Sequence, residues 1–283
     1  MEPAGRPMIQ ARGLVKEFRG FRAVRDVDLD VAEGSVHALV GPNGAGKTTL
    51  FNLLTGFVRP TAGQILLDGT DITGLPPDRV ARLGVARSFQ ITSLFARMTA
   101  REHVELALAG GTGLGWRFWR SDRMLDRFSD RARELLDEVG LARHAEERAG
   151  ALAYGFKRAL ELAVALALSP RVLLLDEPTA GMGVEDVERT VALIGRVKAG
   201  RTVVLVEHNM SVVASLADRV SVLQLGSVLV EGPYREVRDD PRVIAAYLGE
   251  ADGEADGEAH RGADGATDGK PSEDANGETS AAR

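Results

Sequence analysis

Apolar residues in the first third of the chain fall in short runs separated by turn residues. Val24, Val27, Leu29 and Val31 fit two short β segments around Asp26. Val36 to Val40 forms a short apolar run that ends in a glycine-rich loop, and the pattern predicts a helix from about Lys47 to Leu54. Ile65 to Asp68 reads as a further strand before an Asp68-Gly69 turn. From about Thr92 to Gly150 the period changes. Leu125, Phe128, Ala132, Leu135, Leu136 and Val139 recur at helical spacing, with Ser121 or Asp122 as N-cap. A helix over about Phe156 to Leu168 follows, then a strand at Val172 to Leu175, a helix at about Val184 to Lys198 and a strand at Thr202 to Val206. Val220 to Leu223 and Val228 to Val230 predict a closing hairpin around Gly226.

Strands alternating with helices imply an α/β fold whose parallel sheet is covered on both faces. The all-helical stretch interrupts that sheet and predicts a separate lobe. Beyond Glu250 the chain repeats Ala-Asp-Gly-Glu and has almost no apolar side chains, so ordering it would cost entropy without burial. A disordered acidic tail is expected over residues 251–283.

Charge changes the picture once the tail is set apart. The 283-residue chain carries a net charge of -6, and residues 250–283 hold ten acidic and three basic side chains, which leaves the body at about +1. A near-neutral body speaks against a dedicated nucleic-acid binder. There are no cysteines, which removes disulfides and thiolate metal sites. No apolar run reaches the roughly 18–20 residues that span a bilayer. Met1 to Pro7 lacks the apolar region of a signal peptide, so a soluble protein is expected, with any membrane role reached through partners.

Two motifs carry chemistry. Gly41-Pro42-Asn43-Gly44-Ala45-Gly46-Lys47-Thr48 fits the P-loop pattern between a predicted strand and helix. Glycines let backbone N–H groups turn inward around phosphate oxygens, and the helix that follows offers its positive dipole end to the same anion. Lys47 can reach the β- and γ-phosphates, and the Thr48 hydroxyl can ligate Mg²⁺. The second motif is Val172-Leu173-Leu174-Leu175-Asp176-Glu177, a buried-strand run ending in two carboxylates. Ligands sit at the carboxyl ends of such strands. Asp176 is placed to hold Mg²⁺ and Glu177 to polarise the water that attacks the γ-phosphate.

Read with four further segments, these motifs resemble the nucleotide-binding subunits of ABC transporters, over about Met8 to Glu250. Leu152-Ala153-Tyr154-Gly155-Phe156 lies where the family's signature loop belongs. Gln90, in Arg87-Ser88-Phe89-Gln90, matches the glutamine loop, and His208, in Val206-Glu207-His208-Asn209, matches the switch histidine. Phe18 resembles the aromatic that stacks on adenine. Taken singly, a lone Gln or His is most often a surface or capping residue and a lone Phe a core residue; order and spacing relative to the two motifs give them their roles. The stretches Thr48 to Phe57, Gly84 to Gln90 and Pro241 to Gly249, and the helical insertion holding Trp116 and Trp119, are similar to the branched-chain amino acid importer subgroup.

The resemblance implies a P-loop NTPase core with a mostly parallel sheet and flanking helices, an N-terminal antiparallel β subdomain, and a helical subdomain at about 92–168, all within one domain over 8–250. It implies ATP and Mg²⁺ as ligands. Nucleotide would be held by Phe18, Gly41 to Thr48 and Thr49, with Ala153, Tyr154 and Gly155 serving the ATP of a second subunit. The metal would be held by Thr48, Gln90 and Asp176, and Lys47, Gln90, Glu177 and His208 would act in hydrolysis. It also implies transmembrane permease subunits, a second ATPase subunit and, indirectly, an extracytoplasmic solute-binding protein, with this chain peripheral at the cytoplasmic face of the membrane. Two positions depart from the family. Ala153 stands where the signature usually has Ser, with Phe156 at a position often Gln, and Thr179-Ala180-Gly181-Met182-Gly183 lacks the acidic residue many relatives carry. The first departure favours a heterodimer over a homodimer. A non-transport ABC ATPase and a weakly hydrolysing regulatory subunit remain as alternatives. A GTP-binding switch does not, because no Asn-Lys-x-Asp segment is present.

Overall fold

A computed structural model describes residues 5–88, 94–111 and 128–247. Among the described residues ten strands form two sheets. The first is antiparallel and joins β1 (Pro7–Phe18), β2 (Phe21–Ala32), β4 (Ala62–Leu67) and β5 (Thr70–Asp71) in the order β2-β1-β4-β5. The second contains β3 (Val36–Val40), β6 (Val85–Ser88), β7 (Val172–Asp176), β8 (Thr202–Val206), β9 (Arg219–Gln224) and β10 (Ser227–Gly232) in the order β10-β9-β3-β8-β7-β6. Within it only the β9–β10 pair is antiparallel. The helices are α1 (Lys47–Leu54), α2 (Pro77–Arg82), α3 (Ala100–Gly111), α4 (Ser129–Glu138), α5 (Tyr154–Ala167), α6 (Val184–Val197), α7 (Met210–Leu216), α8 (Tyr234–Arg238) and a last one over 241–247.

The strand β7 shows why the parallel strands read as continuous apolar runs. Successive side chains point to opposite faces. Val172 and Leu174 pack with Ile9, Leu14, Val27, Ile65 and α1's Leu50 and Phe51, under the antiparallel sheet. Leu173 and Leu175 pack on the other face against Leu135, Leu136, Leu160, Leu166 and Ile194 of the helical layer. Both faces are dry, so no polar alternation is tolerated. The ends of β3, β7 and β8 therefore emerge side by side from between two cores.

Three local features differ from the expectation. The two segments around Asp26 are one strand, β2, paired along β1 with register shifts between Ala11 and Leu14. Asp26 (φ 49°) and Gly13 (φ 54°) face each other there, and the Gly13 N–H donates to Asp28 Oδ1 at 2.7 Å. Such a bulge bends the ribbon while preserving the pairing on either side. β1 itself, the short strand β6 and helix α2 were not anticipated, because the bulge breaks β1's alternation and the other two are only a few residues long. The proposed N-caps Ser121 and Asp122 lie outside the described residues, as do Gln90, the tryptophans and the tail; the helix α4 begins at Ser129, with Phe128 as its N-cap.

The hairpin β9–β10 turns at Leu225 (φ 49°) and Gly226 (φ 85°), the positive-φ pair of a two-residue turn matched to strand twist.

Candidate nucleotide-binding site

The loop Gly41 to Thr48 leaves the end of β3 and enters α1 without a side-chain cap. Two of its glycines are dictated by neighbours. A Cβ at Gly41 (φ 144°) would stand 2.1 Å from the Leu223 carbonyl oxygen, and one at Gly46 (φ 101°) would stand 2.5 Å from that of Ala23. Both obstacles are backbone, so neither can move aside cheaply. The Gly226 N–H donates to the Ala45 carbonyl at 3.0 Å, which fixes the loop from behind. Lys47 is buried, and its ammonium curls back to donate to the carbonyls of Gly41 (2.6 Å) and Pro42 (2.8 Å). The cation is thus held over the concave side of the loop. Thr48 is exposed and Thr49 half-buried at the first turn of α1, with Asn43 and Gly44 exposed at the tip.

Two strands away, β7 ends in Asp176 and passes to Glu177, and β8 passes to Glu207 and His208. Asp176 is 2% exposed. Its Oδ2 accepts from Arg87 Nη2 at 2.5 Å, while Arg87 Nη1 donates to Asn52 Oδ1 of α1 at 2.5 Å. The guanidinium carbon lies 5.2 Å from the Phe51 ring centroid and 5.7 Å from that of Phe57. Glu177 takes up φ 47°, and its N–H donates to the Val206 carbonyl at 2.9 Å. His208 Nε2–H donates to Glu177 Oε1 at 2.9 Å. The phosphate loop, the two carboxylates and His208 thus gather at the carboxyl ends of three neighbouring parallel strands.

The other expected residues are dispersed. Phe18 closes β1 and is 44% exposed, with Lys16 Nζ 4.8 Å from its ring centroid. Ala153 sits at the N-terminus of α5 in an extended conformation and Lys157 N–H donates to its carbonyl. Tyr154 O–H donates to the Ala180 carbonyl at 3.1 Å, so this turn is joined to the loop after Glu177 and not to the chain's own phosphate loop. Gly155 approaches Asp186 of α6 closely; a Cβ there would lie 3.2 Å from Oδ1.

Sequence reasoning missed Arg87, Asn52 and Glu207. The available signal for Arg87 was a charged residue directly upstream of the glutamine-loop match. Glu207 is 3% exposed, and a buried carboxylate at a strand end is a signal only when its donors are known.

A glycine-rich loop between a buried parallel strand and a helix, with a lysine at the helix start and paired carboxylates at the end of the strand two places along the sheet, defines a P-loop nucleotide-binding ATPase fold. Residues 24–180 match the family described as ABC transporter, and residues 227–253 match the one described as branched-chain amino acid ATP-binding cassette transporter. The chain is 43% identical over 256 residues to the high-affinity branched-chain amino acid transport ATP-binding protein BraF of Pseudomonas aeruginosa, covering 87% of this chain and 99% of that one. It is 39% identical over 257 residues to the corresponding protein LivG of Escherichia coli, with the same coverage. A crystal structure of the ADP conformation of an ATP-binding cassette of an ABC transporter superposes with a TM-score of 0.77 at 27% identity, covering 86% of this chain and 99% of that one. The chain belongs to the ABC transporter family, as one of its ATP-binding, ATP-hydrolysing cassettes.

Proposed function

We propose that this chain energises an importer for branched-chain amino acids or related small solutes, by binding Mg-ATP against a second cassette and hydrolysing it. The observation that carries the reading is the convergence of Lys47, Asp176, Glu177 and His208 at the ends of three adjacent strands. In the proposed reaction Glu177 accepts a hydrogen bond from water and orients it toward the γ-phosphorus. The new P–O bond forms as the bond to the bridging β,γ-oxygen breaks, giving ADP and inorganic phosphate, with the water's proton passing by way of Glu177 to the released phosphate. His208 fixes the Glu177 carboxylate, and Lys47 exchanges its two loop carbonyls for phosphate oxygens. Most of the rate then comes from positioning and charge stabilisation.

The donors at this site fit a hard cation. Asp176 offers a buried carboxylate and Thr48 a hydroxyl, and among the described residues no three His, Cys, Asp or Glu side chains cluster to cage a metal. One carboxylate and one hydroxyl, completed by phosphate oxygens, suit Mg²⁺. Thr48, Asp176 and, by resemblance, Gln90 would hold it, and it would supply charge neutralisation to the phosphates. Nucleotide would also rest on Phe18, and the second subunit's ATP would meet Ala153, Tyr154 and Gly155.

Among the described residues no helix is long and apolar enough to cross a membrane. Coupling to transport therefore falls to transmembrane permease subunits, which would place the chain at the cytoplasmic face, with a solute-binding protein engaged indirectly. A groove lined by Leu94, Phe95, Leu106, Val164 and Leu168 suits a permease segment, since Phe95 is 59% and Leu168 41% exposed. A second ATPase chain with a full signature would pair with this one, because Ala153 cannot donate a hydroxyl. The helical subdomain at about 92–168 would belong to one cassette domain over 8–250, followed by the acidic tail at 251–283. The test is Mg-ATP binding and hydrolysis by the assembled complex: wild type should do both, and Lys47→Ala should lose tight binding. Equal binding by the two would overturn the phosphate-cradle assignment.

A further inference from the structure

The catalytic glutamate occupies a backbone conformation that non-glycine residues rarely adopt. At φ 47°, Glu177 must be held by what surrounds it. One restraint is its own N–H bond to the Val206 carbonyl. The next lies two residues on, at Thr179, and leads to Glu207.

Glu207 is 3% exposed and sits between two loops. Its Oε1 accepts from the Thr179 N–H at 3.1 Å and from the Thr179 hydroxyl at 2.5 Å. Its Oε2 accepts from the N–H groups of His208 (3.0 Å) and Asn209 (3.2 Å). Each oxygen therefore serves one loop. The Thr179 loop carries Glu177 and, through Ala180, takes the hydrogen bond from Tyr154 of α5. The other loop carries His208 and the Asn209 cap of α7, whose Oδ1 accepts from Ser211 N–H at 3.1 Å.

We propose that Glu207 is a positioning residue for hydrolysis. Its carboxylate clamps the Glu177 loop to the His208 loop, so that the 2.9 Å contact between their side chains is set by a buried brace behind them. The inference rests on the reading of Glu177 and His208 as the hydrolytic pair. Only a carboxylate fits the place. All four partners are donors, and a carboxylate presents acceptors on both oxygens. A Gln of the same shape would turn an N–H₂ group toward one of the two donor pairs, releasing that loop.

The test uses the full chain assembled with its cognate permease and second cassette, and measures kcat, KM and Mg-ATP affinity separately. Glu207→Gln should lower kcat roughly tenfold to a hundredfold, the scale of an ångström-sized misplacement, with Mg-ATP affinity within about threefold, since the brace does not touch the phosphate loop. A purely structural role would lower the amount of folded complex and leave kcat per folded complex alone. In combination with His208→Ala the two losses should multiply to less than their product, because both act on one contact. Thr179→Val should repeat the kcat loss and Thr179→Ser should restore it, which keeps the test open where Glu207→Gln misfolds. Unchanged kcat in Glu207→Gln or Thr179→Val, or fully multiplicative losses with His208→Ala, would overturn the brace. A wild-type complex that neither binds nor hydrolyses Mg-ATP would instead overturn the functional reading on which the brace depends.

Discussion

His208 Nε2 stands 2.9 Å from Glu177 Oε1, across two loops that leave neighbouring parallel strands. The pair is partly open to solvent, with side-chain exposures of 42% and 23%, so a water can reach the carboxylate. Glu177→Gln keeps the shape and removes the charge that orients that water. Hydrolysis should fall by about a hundredfold or more while Mg-ATP binding persists, and the closed pair of cassettes should accumulate. Size-exclusion chromatography with ATP would show it; rapid turnover in Glu177→Gln would remove Glu177 from the chemistry.

Ala153 opens α5 with an extended backbone, its carbonyl accepting from the Lys157 N–H. In the proposed dimer the backbone N–H groups of this turn would meet the partner's nucleotide, without the hydroxyl that a Ser at this place would add. Ala153→Ser should raise turnover at the site this loop serves, by up to about a hundredfold if the added bond forms chiefly in the transition state. Single-turnover measurements on a complex with only that site intact would resolve it. Unchanged rates would mean that the dipole and backbone donors suffice.

Gly41 lies against the Leu223 carbonyl, where an added Cβ would sit at 2.1 Å from the oxygen. Gly41→Ala must displace either the phosphate loop or β9. We expect a loss of roughly 3 kcal/mol or more, in the range of severe core changes, seen as a fall of about 10 °C in melting temperature. Residual folded protein should bind Mg-ATP weakly. An unshifted melting curve would contradict the packing of the loop on the hairpin.

His37, in β3, is fully buried beside β9 and β10. Its Nε2–H donates to Ser221 Oγ at 2.8 Å, which donates in turn to Glu231 Oε2 at 2.7 Å, while Arg219 holds the other oxygen. Burial pushes its pKa down to about 4; Glu231 and Asp30 oppose the shift and Arg219 adds to it. Between pH 4 and 6.5 the unfolded chain binds a proton at this site that the folded chain does not. Stability from this group is thus present above pH 6.5 and is lost as pH falls toward 4, by about 3 kcal/mol in all. Urea titrations of wild type and His37→Gln across that range should show a shallower pH slope in the variant. Parallel slopes would rule the histidine out as a source of acid sensitivity.

The elements legible in the sequence were those whose apolar pattern runs unbroken. Lys47 to Leu54, Thr202 to Val206 and the hairpin around Gly226 lie where periodicity and turn residues put them. β1 was lost because the Gly13 bulge shifts Leu14 out of alternation with Ala11. Site residues split along a different line. The roles expected of Lys47, Asp176 and Glu177 are readable because each sits in a contiguous motif, the glycine-rich loop or the carboxylate pair that closes an apolar strand. Arg87 acts through Asp176, 89 positions away, and Glu207 through Thr179, 28 positions away. No local pattern encodes such a pair; it exists only once β6, β7 and β8 are laid side by side.

The backing of the phosphate loop by Leu223 and Gly226 has a consequence for biosynthesis. The motif leaves the ribosome well before this support does. A nascent or truncated chain lacking the β9–β10 hairpin carries every consensus residue of the motif but lacks the backing that Leu223 and Gly226 give it. Fragments that stop short of the hairpin should therefore hold nucleotide more weakly than the full chain.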